Sequence, residues 1–585
     1  MASGLFTGRS LLLFLLSTLL SSVSAAVLGS RGNDNVPQGA PTVTAKNGSY
    51  YGLYNSEYNQ DFFLGMPYTQ PPLGEFRLQV PQSLNETWTG ARDATAYSPE
   101  CIGYGSDDWV LGNIVSEDCL TLNVIRPSTV KAGDNLPVIF WIHGGGYSEG
   151  GSRDPRYNQS FLIQRSVEVG KPIIGVSINY RLSGWGFLWG EEVAEAGVTN
   201  LGIRDQRLAL HWVQENIAAF GGDPSKVTIH GESAGANSVG THLVAYGGRD
   251  DGLFRAAIAE SGGPTPLSYY VNASAWEPNY QKIVQLANCS NAADTLACLR
   301  TLPTEQLSNV FNSSGVVAYT DPVIDGDIIT KSTTALTKEG NFVKVPFLIG
   351  TNFDEGTSFG IQGINTTEEF RASLSENTPM LTEEAIDKVA ELYPDIPELG
   401  IPSTLHSRPP PASPYGRQWK RSAAYGGDLR MHTGRRITSQ AWAKYGVPAY
   451  TYQFDVLVNG KNEYIGSTHF QEVAFVFDNT NGYGYENAVA VDPFANEPPT
   501  FDELASIMST AWISFVHDID PNSNAFSDKR GINKEGLEWP VYGMENPSNM
   551  AFNVNVSGLA YIEPDTYRGS AIAYMADNFE GVWGR

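Results

Sequence analysis

A short apolar run that ends in a glycine-flanked serine constrains this chain more than any other feature. Lys226-Val227-Thr228-Ile229-His230 leads directly into Gly231-Glu232-Ser233-Ala234-Gly235, and a helical stretch is predicted from Asn237 to Tyr246. A Gly-x-Ser-x-Gly pattern between a strand and a helix needs a sharp, strained turn that lifts the serine hydroxyl above the sheet edge. The glycines belong there because any Cβ would collide with the neighbouring strand or helix. The following helix aims its N-terminus at the serine, which favours developing negative charge. A serine in an ordinary glycine turn is the plainer alternative, but the strand before it and the helix after it favour Ser233 as a nucleophile.

Other segments repeat the strand signal. Leu136–Ile142, Pro172–Ile178 and Val345–Gly350 are short, β-branched and continuously apolar, as strands buried on both faces are. Between the second of these and the serine turn, Leu208, Leu210, Trp212, Val213, Ile217 and Phe220 recur at mostly helical spacing within Asn200–Phe220. Strands alternating with helices predict an α/β fold with a large, mostly parallel central sheet flanked by helices. The chain has 585 residues, beyond the usual size of one core unless the fold is a large α/β enzyme. Its 41% hydrophobic and 17% charged content supplies a core and argues against disorder. No internal repeat is visible. The breaker-rich stretch 407–414 reads as a surface loop rather than a domain linker, so residues 26–585 are expected to form a single domain.

His143-Gly144-Gly145-Gly146-Tyr147 follows the strand at 136–142. Consecutive glycines let backbone N–H groups approach a reacting carbonyl and stabilise an oxyanion, and the N–H of Ala234, after the serine, adds to them. The run lacks the Lys-Ser/Thr and the spacing of a phosphate cradle. A serine nucleophile also needs a histidine base and a carboxylate to orient it, in the chain order serine, acid, histidine. Order excludes His143, His211 and His230, and His242 follows too soon. Of the rest, His406 adjoins the proline-rich loop and His517 sits on a helical pattern. His469, in a loop, is preferred, with His432 as the alternative. For the acid, Asp354 and Glu355 both follow the strand at 345–350, and their position alone does not separate them.

The formal net charge of −25 disfavours nucleic acid and anionic membranes as partners. Residues 1–25 read as an export signal: Arg9 in the leading region, an apolar run from Leu11 to Leu20, and small residues at Val23-Ser24-Ala25 before a cut after Ala25. The apolar run is too short for a membrane span, and no hydrophobic tail for a lipid anchor is seen. Export predicts oxidised cysteines. Of the three pairings open to Cys101, Cys119, Cys289 and Cys298, the sequential one is favoured because each partner is local. Cysteine and histidine spacing points to no metal site. Asn47, Asn85, Asn158, Asn272, Asn288, Asn312, Asn365 and Asn555 begin glycosylation sequons.

Taken together, these segments resemble the type-B carboxylesterase/lipase family of α/β-hydrolases, which includes cholinesterases and fungal secreted lipases. The resemblance runs over nearly the whole mature chain. Glu117–Val124, Gly144–Gly146, Asn200-Leu201-Gly202 through Phe220–Pro224, Gly231–Ala236 and Asp354-Glu355-Gly356 carry it. It implies that Ser233 is the nucleophile, Glu355 rather than Asp354 the acid, and His469 the base. It places oxyanion donors at Gly145, Gly146 and Ala234, and supports Cys101–Cys119 and Cys289–Cys298. The substrate implied is a small-molecule or lipid ester, with no metal or organic cofactor. The segment between Cys101 and Cys119 looks shorter than the flap of the family's true lipases, so an esterase is favoured over a lid-gated lipase. Trp109, ten residues before Cys119, resembles the choline-stacking tryptophan of cholinesterases, though packing of the gorge wall is the stronger reading. Glu232, next to the nucleophile, is expected either to stabilise the imidazolium of the transition state or to serve the fold. A binding protein that reuses the fold, and a peptidase or amidase, are the competing functions.

Overall fold

A computed structural model of the protein describes residues 36–105, 114–265, 272–319, 321–378, 380–485, 491–523 and 537–584. The expected export signal and Trp109 lie outside the described residues. Eleven strands form one mixed sheet. In chain order they are β1 (Leu53–Asn55), β2 (Gln60–Pro67), β3 (Thr121–Pro127), β4 (Leu136–Ile142), β5 (Ile174–Ile178) and β6 (Gly222–Glu232). They continue as β7 (Ala256–Glu260), β8 (Phe347–Asn352), β9 (Ala449–Phe454), β10 (Ser548–Phe552) and β11 (Ala560–Pro564). The spatial order is β11-β10-β9-β8-β7-β6-β4-β5-β3-β2-β1. From β5 through β4 and β6 to β10 every pairing is parallel, and the strands beyond either end run antiparallel. This is the α/β architecture read from the sequence.

The helices that matter here are α1 (Ser160–Glu168), α2 (Leu201–Asn216), α3 (Ala234–Gly248), α4 (Trp419–Gly427), α5 (Thr433–Lys444) and α6 (Thr500–Asp518). They cover both faces of the sheet, and the period-two alternation of a strand sorts its residues between two cores. Val138, Phe140 and Ile142 of β4 pack into one core with Val239 and Leu243 of α3 and Leu210 of α2. Ile139 and Trp141 of the same strand pack into the other, with Leu162 of α1 and Trp512 of α6. Because both faces are covered, the central strands have no polar face, which is why their sequences read as unbroken apolar runs. A third core joins Trp419, Ala423 and Ile437 to Met575, Phe579 and Trp583 near the C-terminus. The stretch 407–414 is mostly exposed turn.

The C-terminal ends of the parallel strands supply the site. β4 runs into the glycine loop at 144–146, β6 into Ser233, β7 into Ser261, and β8 into Asp354 and Glu355. Open α/β sheets present their ligand crevice at this edge.

Candidate active site

Ser233 sits between β6 and α3 with φ 55° and ψ −121°, a backbone region that costs a non-glycine residue about 1–3 kcal/mol. Its neighbours hold it there: the Ser233 N–H donates to the Glu260 carbonyl of β7 at 2.9 Å, and its own carbonyl accepts from Asn237 N–H. The flanking glycines are required by close approach. A Cβ at Gly231 would overlap the backbone of Gly235, and one at Gly235 would overlap the carbonyl of Ile142.

His469 Nε2 lies 2.8 Å from Ser233 Oγ, and His469 Nδ1 lies 2.8 Å from Glu355 Oε2. The expected hydroxyl, imidazole and carboxylate therefore stand in one chain of hydrogen bonds. Glu355 is fully buried; its Oε1 accepts from the Ser261 hydroxyl and, at 2.9 Å, from Asn352 N–H. Burial pushes its carboxyl up, but His469, Ser261 and Asn352 outweigh this and hold it below the usual carboxylate range. For His469 burial favours the neutral ring, and the charge and hydrogen bond of Glu355 overcome that and raise it. Phe359 meets the imidazole edge-on at 5.1 Å between ring centroids.

The neighbours of these residues are engaged elsewhere. Asp354 accepts the N–H groups of Ser467 (2.9 Å) and Ser403 (3.3 Å), which anchors the loop that carries His469. His432 is buried on α5's N-terminal side, where its Nδ1 meets Thr351 Oγ1 at 3.1 Å; burial holds its pKa down at about 4. His406 is exposed, and His517 pairs with Asp518. In this geometry Glu355 and His469, rather than Asp354 and His432, stand in line with Ser233.

Gly145 and Gly146 both adopt positive φ (96° and 59°). Their N–H groups donate to no acceptor among the described residues. A Cβ on the preceding Gly144 would stand 3.2 Å from Ser233 Cβ, so the glycine loop lies against the serine. Ala234 is the first residue of α3, and the first N–H groups of a helix have no partner within it. The arrangement offers free donors beside a hydroxyl whose proton has a base to go to.

Sequence reasoning did not single out Ser261, Asn352 or Glu472. Glu472 is fully buried, accepts from Asn352 Nδ2 at 2.6 Å and lies 3.1 Å from Ser261 Oγ. A glutamate three residues after the preferred histidine was the available signal. Glu232, one residue before Ser233, places Oε1 3.3 Å from His469 Nε2. Burial first, then the charges of Glu355 and Glu260, push its carboxyl well above the usual range. Among the described residues no cluster of three or more metal-ligating side chains occurs, and no helix is long and apolar enough to cross a membrane.

Disulfides join Cys101 to Cys119 and Cys289 to Cys298. Of the eight sequon asparagines, Asn85, Asn272, Asn288, Asn312, Asn365 and Asn555 are exposed, and Asn47 and Asn158 are partly so.

Residues 39–565 match the model of the carboxylesterase family. Lipase 2 of Diutina rugosa is 34% identical over 92% of this chain and 96% of its own. Secreted lipase 1 of Botryotinia fuckeliana is 34% identical over 93% and 94%. Among solved structures, Aspergillus niger EstA superposes with a TM-score of 0.77 at 28% identity, covering 93% of this chain and 99% of that one. A structure named PNB esterase gives 0.71 at 28% identity, covering 91% and 100%. The protein therefore belongs to the carboxylesterase family, with the α/β-hydrolase fold of its esterase neighbours, and is a carboxylic-ester hydrolase.

Proposed function

We propose that the protein is a secreted serine carboxylesterase that works through an acyl-enzyme on Ser233. The observation that carries this reading is the unbroken contact from Ser233 Oγ through His469 to Glu355, at 2.8 Å on each side of the ring. His469 Nε2 takes the hydroxyl proton as Oγ attacks the ester carbonyl. The N–H groups of Gly145, Gly146 and Ala234 receive the oxyanion, each worth about 3–4 kcal/mol in comparable sites. His469 then gives its proton to the departing alcohol, and water repeats the sequence on the acyl-enzyme. Glu355 holds the tautomer that leaves Nε2 free to accept.

Preference for small esters over lipid aggregates is supported by the short segment between Cys101 and Cys119, a separation of 18 residues. Hydrolysis of triacylglycerol is the second reading, because several relatives bear the name lipase. Secretion is supported by the leader-like first 25 residues, the paired cysteines and the accessible sequons.

The first test compares wild type with Ser233→Ala on p-nitrophenyl butyrate. Loss of several orders of magnitude in the variant supports the mechanism, and equal activity defeats it. Activity on a soluble ester and on a triacylglycerol emulsion then separates the two substrate classes. A jump in rate as the ester passes its solubility limit would favour the lipase. Sequencing the N-terminus of protein from the medium tests the cut after Ala25.

A further inference from the structure

Four glutamates lie within or beneath the proposed catalytic centre, and all are buried: Glu232, Glu260, Glu355 and Glu472. The mechanism above uses only Glu355. Glu232 and Glu260 end neighbouring parallel strands and are directly paired in register, so their side chains rise side by side from β6 and β7. His230 stands two residues before Glu232, on the same face of β6. Its Nε2 lies 2.5 Å from Glu260 Oε1, and Trp512 Nε1 of α6 donates to the same oxygen at 2.7 Å. Rings enclose the imidazole: Trp141 of β4 meets it at 4.6 Å and Phe477 at 6.1 Å. Above the pair, Glu232 Oε1 makes no hydrogen bond, yet it lies 3.3 Å from His469 Nε2, the atom that must accept the Ser233 proton.

This placement is a hazard for a general base. An ionised carboxylate at that distance would hold a proton on His469 Nε2 and compete with Ser233 Oγ for the ring. A protonated Glu232 does not. Glu260 Oε1, met by two ring nitrogens, is fixed beside Glu232, and two adjoining carboxyls do not both ionise readily. We infer that His230, together with Glu260 and Trp512, is a positioning device for the esterase reaction: it fixes the Glu260 carboxyl beside Glu232 at the ends of β6 and β7, and through that pair leaves His469 Nε2 free for Ser233. This deepens the serine-esterase reading and rests on it.

The other charged and titratable groups facing this cluster are consistent with that role. Glu355 and Glu472 approach from the β8 turn and the segment after His469, and Glu355 with Glu260 adds to the rise that burial imposes on Glu232. Tyr452 of β9 contributes a buried hydroxyl without a hydrogen bond, held well above its ordinary range by burial and by Glu472, Glu260, Glu355 and Glu232. Arg156 opposes this rise, with the smallest effect of those named.

The test is the pH dependence of kcat/KM on p-nitrophenyl butyrate for wild type, Glu260→Gln, His230→Gln, Glu232→Gln and Glu232→Gln/Glu260→Gln. Gln at 260 preserves size and still accepts from Trp512, so this variant reads the inference even if the histidine variants fold poorly. With Glu260 neutral, one of the charges that disfavour ionisation of Glu232 is gone while burial and Glu355 remain; its carboxyl ionises more readily, and the acid limb moves to higher pH by up to about one unit, the scale of a nearby charge. His230→Gln moves it the same way. In the Glu232→Gln background the Glu260 change no longer moves the limb, because the responding carboxyl is gone. A merely structural role lowers kcat or thermal stability and leaves the limb in place, and that result overturns the inference. So does a shift that persists with Gln at 232. If Ser233→Ala retains activity, the esterase mechanism fails instead, and the two failures are distinguishable.

Discussion

Glu355 and Glu472 meet the same hydroxyl, that of Ser261, and the same residue, Asn352, yet their carboxyls are displaced in opposite directions. Glu355 is held below its ordinary range and Glu472 is driven well above it, by burial and by Glu232, Glu260 and Glu355. Ser261 has one hydroxyl hydrogen for two carboxylates. With that hydrogen on Glu355, the 3.1 Å contact to Glu472 is a hydrogen bond only when Glu472 supplies the proton. Glutamine mimics a protonated glutamate. Glu472→Gln is therefore expected to cost less than about tenfold in kcat, whereas Glu355→Gln should cost about 10⁴-fold, as loss of the orienting carboxylate does in serine triads. Steady-state kinetics on one ester compares them directly.

The acid limb of activity should lie above the ordinary histidine range. The base must be unprotonated to act, and the charge and hydrogen bond of Glu355 raise His469 from 6.5 despite its burial. Replacing Glu355 by Gln removes the main cause of that rise, so the limb should move to lower pH as the rate falls. A kcat/KM profile from pH 5 to 9 measures it, and an unmoved limb would show that Glu355 does not set the base.

Asp354 gives stability a second pH dependence. Burial, with the charge of Asp455, raises its carboxyl from 3.8 to about 7 against the opposing hydrogen bonds of Ser467 and Ser403. A group whose folded pKa is raised binds protons more tightly in the fold, so its favourable contribution is complete below 3.8 and is lost as pH rises toward 7. Asp354→Asn resembles the protonated form. Its urea midpoint relative to wild type should be more favourable at pH 8 than at pH 5.

Far from the site, Asp565 accepts from both Arg435 and Arg436, with Arg435 Nη2 at 2.6 Å and Arg436 Nη2 at 2.7 Å, all three side chains largely buried. Asp565→Asn strands two buried cations and should cost about 3–5 kcal/mol in urea unfolding. Burial opposes its ionisation, but the two arginines hold the carboxyl far below its ordinary range. The contribution is therefore present above 3.8 and is lost as pH falls through the depressed value.

The two disulfides close loops of different length, with separations of 18 and 9 residues. Loop-closure entropy grows with length, so Cys101→Ser/Cys119→Ser should destabilise by about 3 kcal/mol, and Cys289→Ser/Cys298→Ser by less. Thermal unfolding of the two double variants ranks them.

Much of this was legible in the sequence because it is local. Continuous apolar runs marked strands buried on both faces, and Gly231-x-Ser233-x-Gly235 marked a turn too tight for any Cβ. Chain order narrowed the histidines, and the likeness of the motifs to a known family pointed to His469 and Glu355. Other parts were hidden because they join residues distant in the chain. Ser261 touches Glu355 across 94 positions and Glu472 across 211, and Trp512 reaches Glu260 across 252. Chain order rules out His230 as the base, and it says nothing about what stands beside that residue on the next strand. The sequence by itself determined the sheet, the elbow and the kinds of residue that carry the chemistry, because backbone sterics and hydrophobic periodicity act over a few neighbours. Only the tertiary structure decided how four buried glutamates gather around that imidazole and which of them meets a donor, because desolvation and Coulomb interaction depend on distance in space rather than along the chain.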